Sequence, residues 1–362
     1  MGSVPRNVII RADASSEIGT GHVMRCLALA QALVGGGEAP TFLGCCRNPA
    51  LRRRIRDAGA RFVSLPGAHP NPADLRATLR FIGKSEPDWL VMDGYHFDPE
   101  YQQAARATGV QVLVIDDLAC WPEYHADILL NQNLAAENLS YVCDQDTELL
   151  LGMRYVMLRR EFLGWRGTHH AVTPVARRVL VTMGGSDPGN ATLMAIEALD
   201  RTDLPQLEAV VVVGADNRRL EQLRAVSRQL RLSVRVVRNV QNMPDLMAWA
   251  DIVLTTAGGT VWELLYMGCP TLSFTRMSVQ EADYRSLEQR GAMRCLGNEA
   301  AAKPEHVAEA IKDLACSVTA RRRMSATGRR LVDGQGAARV VREMLKVSRP
   351  SRARIAGPAM RA

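Results

Sequence analysis

Arg11-Ala-Asp13-Ala-Ser-Ser-Glu-Ile-Gly19-Thr-Gly21-His22-Val-Met-Arg25-Cys26 stands between an apolar run, Val8-Ile9-Ile10, and a stretch with apolar residues at Val23, Cys26, Leu27, Ala30, Leu33 and Val34. The run reads as a strand, and the stretch, at a period near 3.6, as a helix. A strand, a glycine turn and a helix in this order place the turn at the carboxyl edge of a sheet. His22 falls in the first helical turn, where unpaired N–H groups and the positive end of the helix dipole favour an anionic ligand and a neutral imidazole. A histidine so placed can serve as a base. On the plainer reading Gly19 and Gly21 only let the chain turn, and His22 is a surface N-cap residue.

The 362 residues, 47% of them hydrophobic, suffice for two domains that each bury a core. The formal charge of +7 is gathered partly in Lys346 to Arg361 and in the runs Arg52-Arg53-Arg54 and Arg321-Arg322-Arg323. With only 5% aromatic residues there is too little for base-stacking platforms, so the runs read as solvated basic faces and no nucleic-acid partner is expected. The eight cysteines show neither CxxC nor zinc-ligand spacing, which points to reduced thiols in a cytoplasmic protein. No apolar run approaches the roughly 20 residues of a membrane span, and no signal-peptide core is expected. A monomer is expected.

Further strands are expected at Thr41 to Leu43, Arg61 to Leu65, Trp89 to Met92, Val110 to Ile115 and Ile128 to Leu130, with helical patterns between most of them. Gly164 to Pro174 breaks the periodicity and reads as a linker. A second series follows at Val179 to Met183, Ala209 to Val213, Val234 to Val237, Ile252 to Thr255 and Thr271 to Phe274. The expected class is therefore α/β, with two Rossmann-like doubly wound domains, residues 1–163 and 175–347, facing each other across a ligand cleft. Residues 348–362 read as a basic tail without enough apolar surface to order itself.

Met24 occupies the third position of a would-be G-x-G-x-x-G, and no P-loop occurs, so no nicotinamide or flavin cofactor is expected. In the second half, Thr256-Ala257-Gly258-Gly259-Thr260 opens a helix stopped by Gly268, which offers backbone N–H groups and a hydroxyl to a diphosphate. Glu263, three residues after Thr260, either closes a capping box or accepts hydrogen bonds from ribose hydroxyls.

The string Ile18 to Ala30, preceded by Arg11-Ala-Asp13, resembles the nucleotide-sugar hydrolases of pseudaminic acid biosynthesis. Also matching are Asp93-Gly-Tyr95, Ile115-Asp-Asp117, Ile128 to Asn133, Met183-Gly184-Gly-Ser-Asp187, Gly258 to Glu263, Gln280-Glu281 and Asp333-Gly-Gln-Gly336. The pieces span the chain up to its tail, and their order carries the resemblance. It implies a GT-B fold, shared with the peptidoglycan glycosyltransferase that moves N-acetylglucosamine from UDP to a lipid. It also implies metal-independent removal of UDP from UDP-2,4-diacetamido-2,4,6-trideoxy-β-L-altropyranose. By resemblance His22 is the catalytic base and Glu263 holds the ribose. A backbone group between Val240 and Met243 meets the uracil edge, and Gln280 and Glu281 reach the sugar or diphosphate. Arg25, Gly19, Gly21 and Gly184 lie in matching stretches and are expected at the substrate, with Gly258, Gly259 and Thr260 on the diphosphate. Asp13 and Tyr95, at strand ends, are expected to orient His22 or the acetamido groups, Asp13 having an N-cap or turn role as the alternative. Asp116-Asp117 could bind a divalent ion, but no metal is expected. His169 and His170 read as exposed linker residues.

Overall fold

The inner strands form where apolar side chains can be buried on both faces, the signature of central strands in a parallel sheet. A computed structural model describes residues 7–347, apart from 16, 38, 69, 168–171, 186, 205 and 215–216. The expected basic tail and His169-His170 lie outside the described residues. Seven strands, β1 (Val8–Ala12), β2 (Thr41–Gly44), β3 (Arg61–Ser64), β4 (Trp89–Asp93), β5 (Gln111–Ile115), β6 (Ile128–Asn131) and β7 (Glu148–Leu151), form a parallel sheet in the order β3-β2-β1-β4-β5-β6-β7. Six more, β8 (Arg178–Thr182), β9 (Glu208–Val213), β10 (Ser233–Arg238), β11 (Ile252–Thr256), β12 (Thr271–Thr275) and β13 (Arg294–Asn298), form a second in the order β10-β9-β8-β11-β12-β13.

Each sheet carries an apolar core on both faces. In both, the switch in strand order lies beside the first strand of the half, β1 or β8, which is where open α/β sheets leave a crevice at their carboxyl ends. The first strand and helix meet there, joined through Gly19 at a φ of 79° that favours glycine.

One expected boundary is corrected. The last helix, Gly336–Lys346, was expected within the second domain, yet its Ala337, Val340 and Met344 are buried in the first core, against the helix Gly21–Gly35. The chain crosses between cores around residues 155–162, ahead of the expected linker. Tyr155 and Met157 pack into the first core, while Val156, Leu158 and Phe162 pack into the second. The alternation is that of an extended segment whose two faces meet different layers. Among the described residues no helix is long and apolar enough to cross a membrane.

Candidate active site

His22 is the second residue of the helix Gly21–Gly35, and Asp93 ends β4, the parallel neighbour of β1. The pairing of Ala12 with Asp93 brings the two together, with His22 Nδ1 2.6 Å from Asp93 Oδ1. An ionised carboxylate only accepts, so Nδ1 carries the proton and Nε2 is the basic nitrogen. Arg25, one turn along the helix, donates from Nε and Nη2 to Asp93 (3.0 and 2.7 Å) and from Nη1 to Asp117 (2.7 Å). Asp117 also accepts from Tyr95 Oη (3.0 Å) and Asn133 Nδ2 (2.9 Å). The Tyr95 ring meets the imidazole edge-on, with centroids 4.8 Å apart.

Burial alone would raise the Asp93 carboxyl, but the Arg25 guanidinium and the bonds from His22 and Arg25 outweigh it and hold it well below the usual carboxylate range. The same balance, dominated after burial by Arg25, lowers Asp117. Burial, then the Asp117 charge, pushes the Tyr95 phenol far up, so it remains a donor.

Asp13 does not orient His22. Its two oxygens accept from Arg11 (2.6 and 3.0 Å), and Oδ1 also takes the Cys45 N–H (2.7 Å). Arg11 in turn reaches Asp74 (2.6 Å), so a guanidinium inside the sheet consumes the carboxylate. Asp116 is likewise occupied, accepting from the Leu118 and Ala119 N–H groups and from the Tyr124 and Tyr141 hydroxyls. Among the described residues no group of three or more His, Cys, Asp and Glu side chains is placed to hold a metal ion.

The facing wall belongs to the second sheet. Gly258, with a φ of 144°, precedes the helix Gly259–Met267 and donates its N–H to Tyr284 Oη (3.1 Å). No side chain caps this helix, so Thr260 and Glu263 form no capping box. Glu263 Oε1 instead accepts from Arg159 Nε (3.2 Å) and Nη2 (2.9 Å), and Arg159 also bonds Glu161. Gln280 Oε1 accepts the Arg276 and Met277 N–H groups (3.0 and 3.2 Å) and so shapes its own loop.

A cavity of about 620 Å³ lies between the walls. Of the expected site residues, Gly19, Gly21, His22, Arg25 and Tyr95 line it from the first sheet, and Gly184, Val240, Met243, Gly258, Gly259, Thr260, Glu263 and Gln280 from the second. Asp13 and Glu281 are not on its lining. Glu281 sits one residue past Gln280 on the helix Glu281–Gln289 and pairs with Arg285 (3.1 Å). The two halves touch around the cavity. Arg54 Nη2 donates to the Gln241 carbonyl (2.7 Å), Asp283 accepts the Ala135 N–H, and the Thr20 side chain lies over Gly185.

Asp93, Arg159, Arg276 and Asp283 have no role that follows from the sequence alone, and Asp117 has only that of a candidate metal ligand. Asp93 carried a signal: like Asp117, it follows an apolar strand at the carboxyl edge where His22 was expected.

Residues 178–335 match the glycosyltransferase family 28 C-terminal domain. The chain is 24% identical over 284 residues to an uncharacterized protein of Methanocaldococcus jannaschii, covering 76% of this chain but only 57% of that protein's length. It is 22% identical over 338 residues to the spore coat polysaccharide biosynthesis protein SpsG of Bacillus subtilis, covering 92% of this chain and 96% of that one. Identity to the UDP-2,4-diacetamido-2,4,6-trideoxy-β-L-altropyranose hydrolase of Campylobacter jejuni is 23% over 289 residues, covering 78% and 97%. Among solved structures, MurG of Acinetobacter baumannii superposes with a TM-score of 0.65 at 17% identity, over 94% of this chain and 100% of that one. The fold is GT-B, as the sequence led us to expect, and the resemblance to the nucleotide-sugar hydrolase holds along most of the chain.

Proposed function

We propose that this protein hydrolyses a UDP-sugar at C1, its substrate being UDP-2,4-diacetamido-2,4,6-trideoxy-β-L-altropyranose. The observation that carries the reading is a histidine whose Nδ1 is held by Asp93 on one wall of a cavity whose other wall carries the Gly258-Gly259-Thr260 helix start. The choice of sugar rests on the likeness to the Campylobacter jejuni protein of that name.

In this mechanism His22 Nε2 takes a proton from water as its oxygen attacks C1. The C1–O bond breaks, and its electron pair passes to the β-phosphate oxygen, which departs with UDP. Backbone N–H groups at the start of the helix Gly259–Met267 and its dipole hold the diphosphate. Arg159 occupies Glu263 Oε1 and leaves Oε2 for the ribose hydroxyls, while the 240–243 backbone meets the uracil edge. Tyr95, its hydroxyl held by Asp117, keeps the imidazole edge-packed on the cavity wall. A single displacement with the base opposite the leaving group inverts C1.

Hydrolysis in oxygen-18 water tests this directly. The label is expected in the sugar hydroxyl, with the inverted anomer seen by NMR before mutarotation; label in UDP would mean attack at phosphorus and end the assignment. The match of residues 178–335 to a glycosyltransferase domain favours a second reading, in which a hydroxyl acceptor replaces water. Absence of free sugar without acceptor, across a panel of UDP-sugars, would select that reading.

A further inference from the structure

Arg276 is the first residue after β12 and lines the cavity. In the sheet, β11 lies between β12 and β8. Arg276 Nη2 nevertheless reaches the Met183 carbonyl, just past the end of β8, at 2.8 Å. The guanidinium therefore crosses the carboxyl end of β11, where Thr256-Ala257-Gly258 turns into the helix Gly259–Met267. Its Nε is gripped by both oxygens of Glu299 (3.2 and 3.0 Å), which follows β13. Its backbone N–H is fixed by Gln280. Nη1 has no hydrogen-bond partner among the described residues and lies beside Gly184, where an added Cβ would stand 3.7 Å away.

A long cationic side chain held at two of its three nitrogens, on a backbone fixed by Gln280, has already lost much of its rotamer freedom, so a bond from its remaining nitrogen costs little further entropy. Glycine at position 184, with a φ of 83°, keeps the space beside Nη1 open. We infer that Arg276 is a diphosphate-binding residue, donating through Nη1 to a non-bridging phosphate oxygen and stabilising the charge that grows on UDP as C1–O breaks. This rests on the proposed function in taking the ligand to be a nucleoside diphosphate. It goes beyond it in adding a side-chain cation to a diphosphate site otherwise made of uncharged donors, the backbone N–H groups and the Thr260 hydroxyl.

The alternative is a staple that ties the ends of β8, β12 and β13 and touches no ligand. The two part company in a calorimetric comparison of UDP, UMP and uridine, run on the wild type, Arg276→Gln and Arg276→Lys. For Arg276→Gln the expected result is a loss of about 10- to 100-fold in UDP affinity, the scale of a hydrogen bond to a charged group. Uridine affinity should move less than about twofold, and Arg276→Lys should fall between. Equal losses for all three ligands, or no loss, overturn the inference. If Arg276→Gln fails to fold, Glu299→Gln decides instead, because it loosens the grip but keeps the cation: a lowered ratio of UDP to uridine affinity supports the role, and an unchanged ratio overturns it. A wild type that binds neither UDP nor uridine overturns the proposed function and this inference together. Preference for UDP that survives in every variant overturns this inference alone.

Discussion

A histidine at a helix start with nothing behind it can turn either ring nitrogen toward a ligand; the Asp93 carboxylate, 2.6 Å from Nδ1, removes that freedom. His22→Ala is expected to lower turnover by about 10²- to 10⁴-fold while leaving UDP affinity near wild type, since the imidazole serves the water. Titration with UDP alongside initial rates checks both halves. Asp93→Asn should cost a similar factor of about 10² to 10⁴, because an amide that donates to Nδ1 moves the ring proton to Nε2. The same variant reports on stability. The folded Asp93 carboxyl lies below its ordinary value near 3.8, so its contribution is complete above that value and is lost as pH falls toward the folded one. The melting-temperature gap between wild type and Asp93→Asn should therefore be full at neutral pH and close below about pH 4. A gap that widens in acid would contradict the assignment. For Glu263→Ala, loss of a charged acceptor should weaken UDP by about 1.5 to 3 kcal/mol, read calorimetrically.

Among the elements, the central strands were the most legible, and of the four edge strands only β3 and β10, which carry Phe62, Val63, Val234, Val236 and Val237, were expected. Strands β1, β4, β5, β11 and β12 are buried throughout and stand out as apolar runs. The outer strand β13, half exposed, lacks that pattern and was not foreseen; β7, also half exposed, carries Leu149-Leu150-Leu151 and was missed as well. Charge runs were equally hard to read, because a run does not disclose which member turns inward. Arg321, taken with its neighbours as part of a solvated face, is buried and donates to the carbonyls of Leu314, Ala315, Thr173 and Pro174, thereby closing the helix Pro304–Cys316 and pinning the incoming chain. Arg321→Met should cost about 3 kcal/mol by stranding these carbonyls. Arg322→Ala, at an exposed position, should stay within about 0.5 kcal/mol. Urea unfolding of the two variants makes the comparison. At the site, His22 and the Gly258 turn could be found because a glycine-flanked helix start has a local pattern. Asp93 stood at a legible strand end, but it, Arg159 and Arg276 act through partners 71, 104 and 93 residues away, and one sequence does not show which distant residues meet.

At the scale of the molecule, the helix Gly336–Lys346 determines which half depends on which. A chain ending at Gln335 loses Val340 and Met344 from the first core, about 4 kcal/mol of apolar burial, and uncovers the helix that carries His22. Such a chain should unfold at lower denaturant, bind a hydrophobic dye and lose activity. If it keeps wild-type stability, the last helix is not part of the first core in solution.

That helix also has a consequence for synthesis. The seventh strand of the first sheet ends at Leu151, so its backbone is complete when less than half of the chain has been made. The face of the helix that carries His22 must wait for Val340 and Met344. At about 5 to 20 residues per second the wait is roughly 10 to 40 s on the ribosome, with an apolar surface uncovered throughout. The second half, whose cores are closed by segments nearer to hand, can finish first. A nascent chain stalled near residue 335 should therefore recruit a chaperone through its amino-terminal half, although that half was translated first.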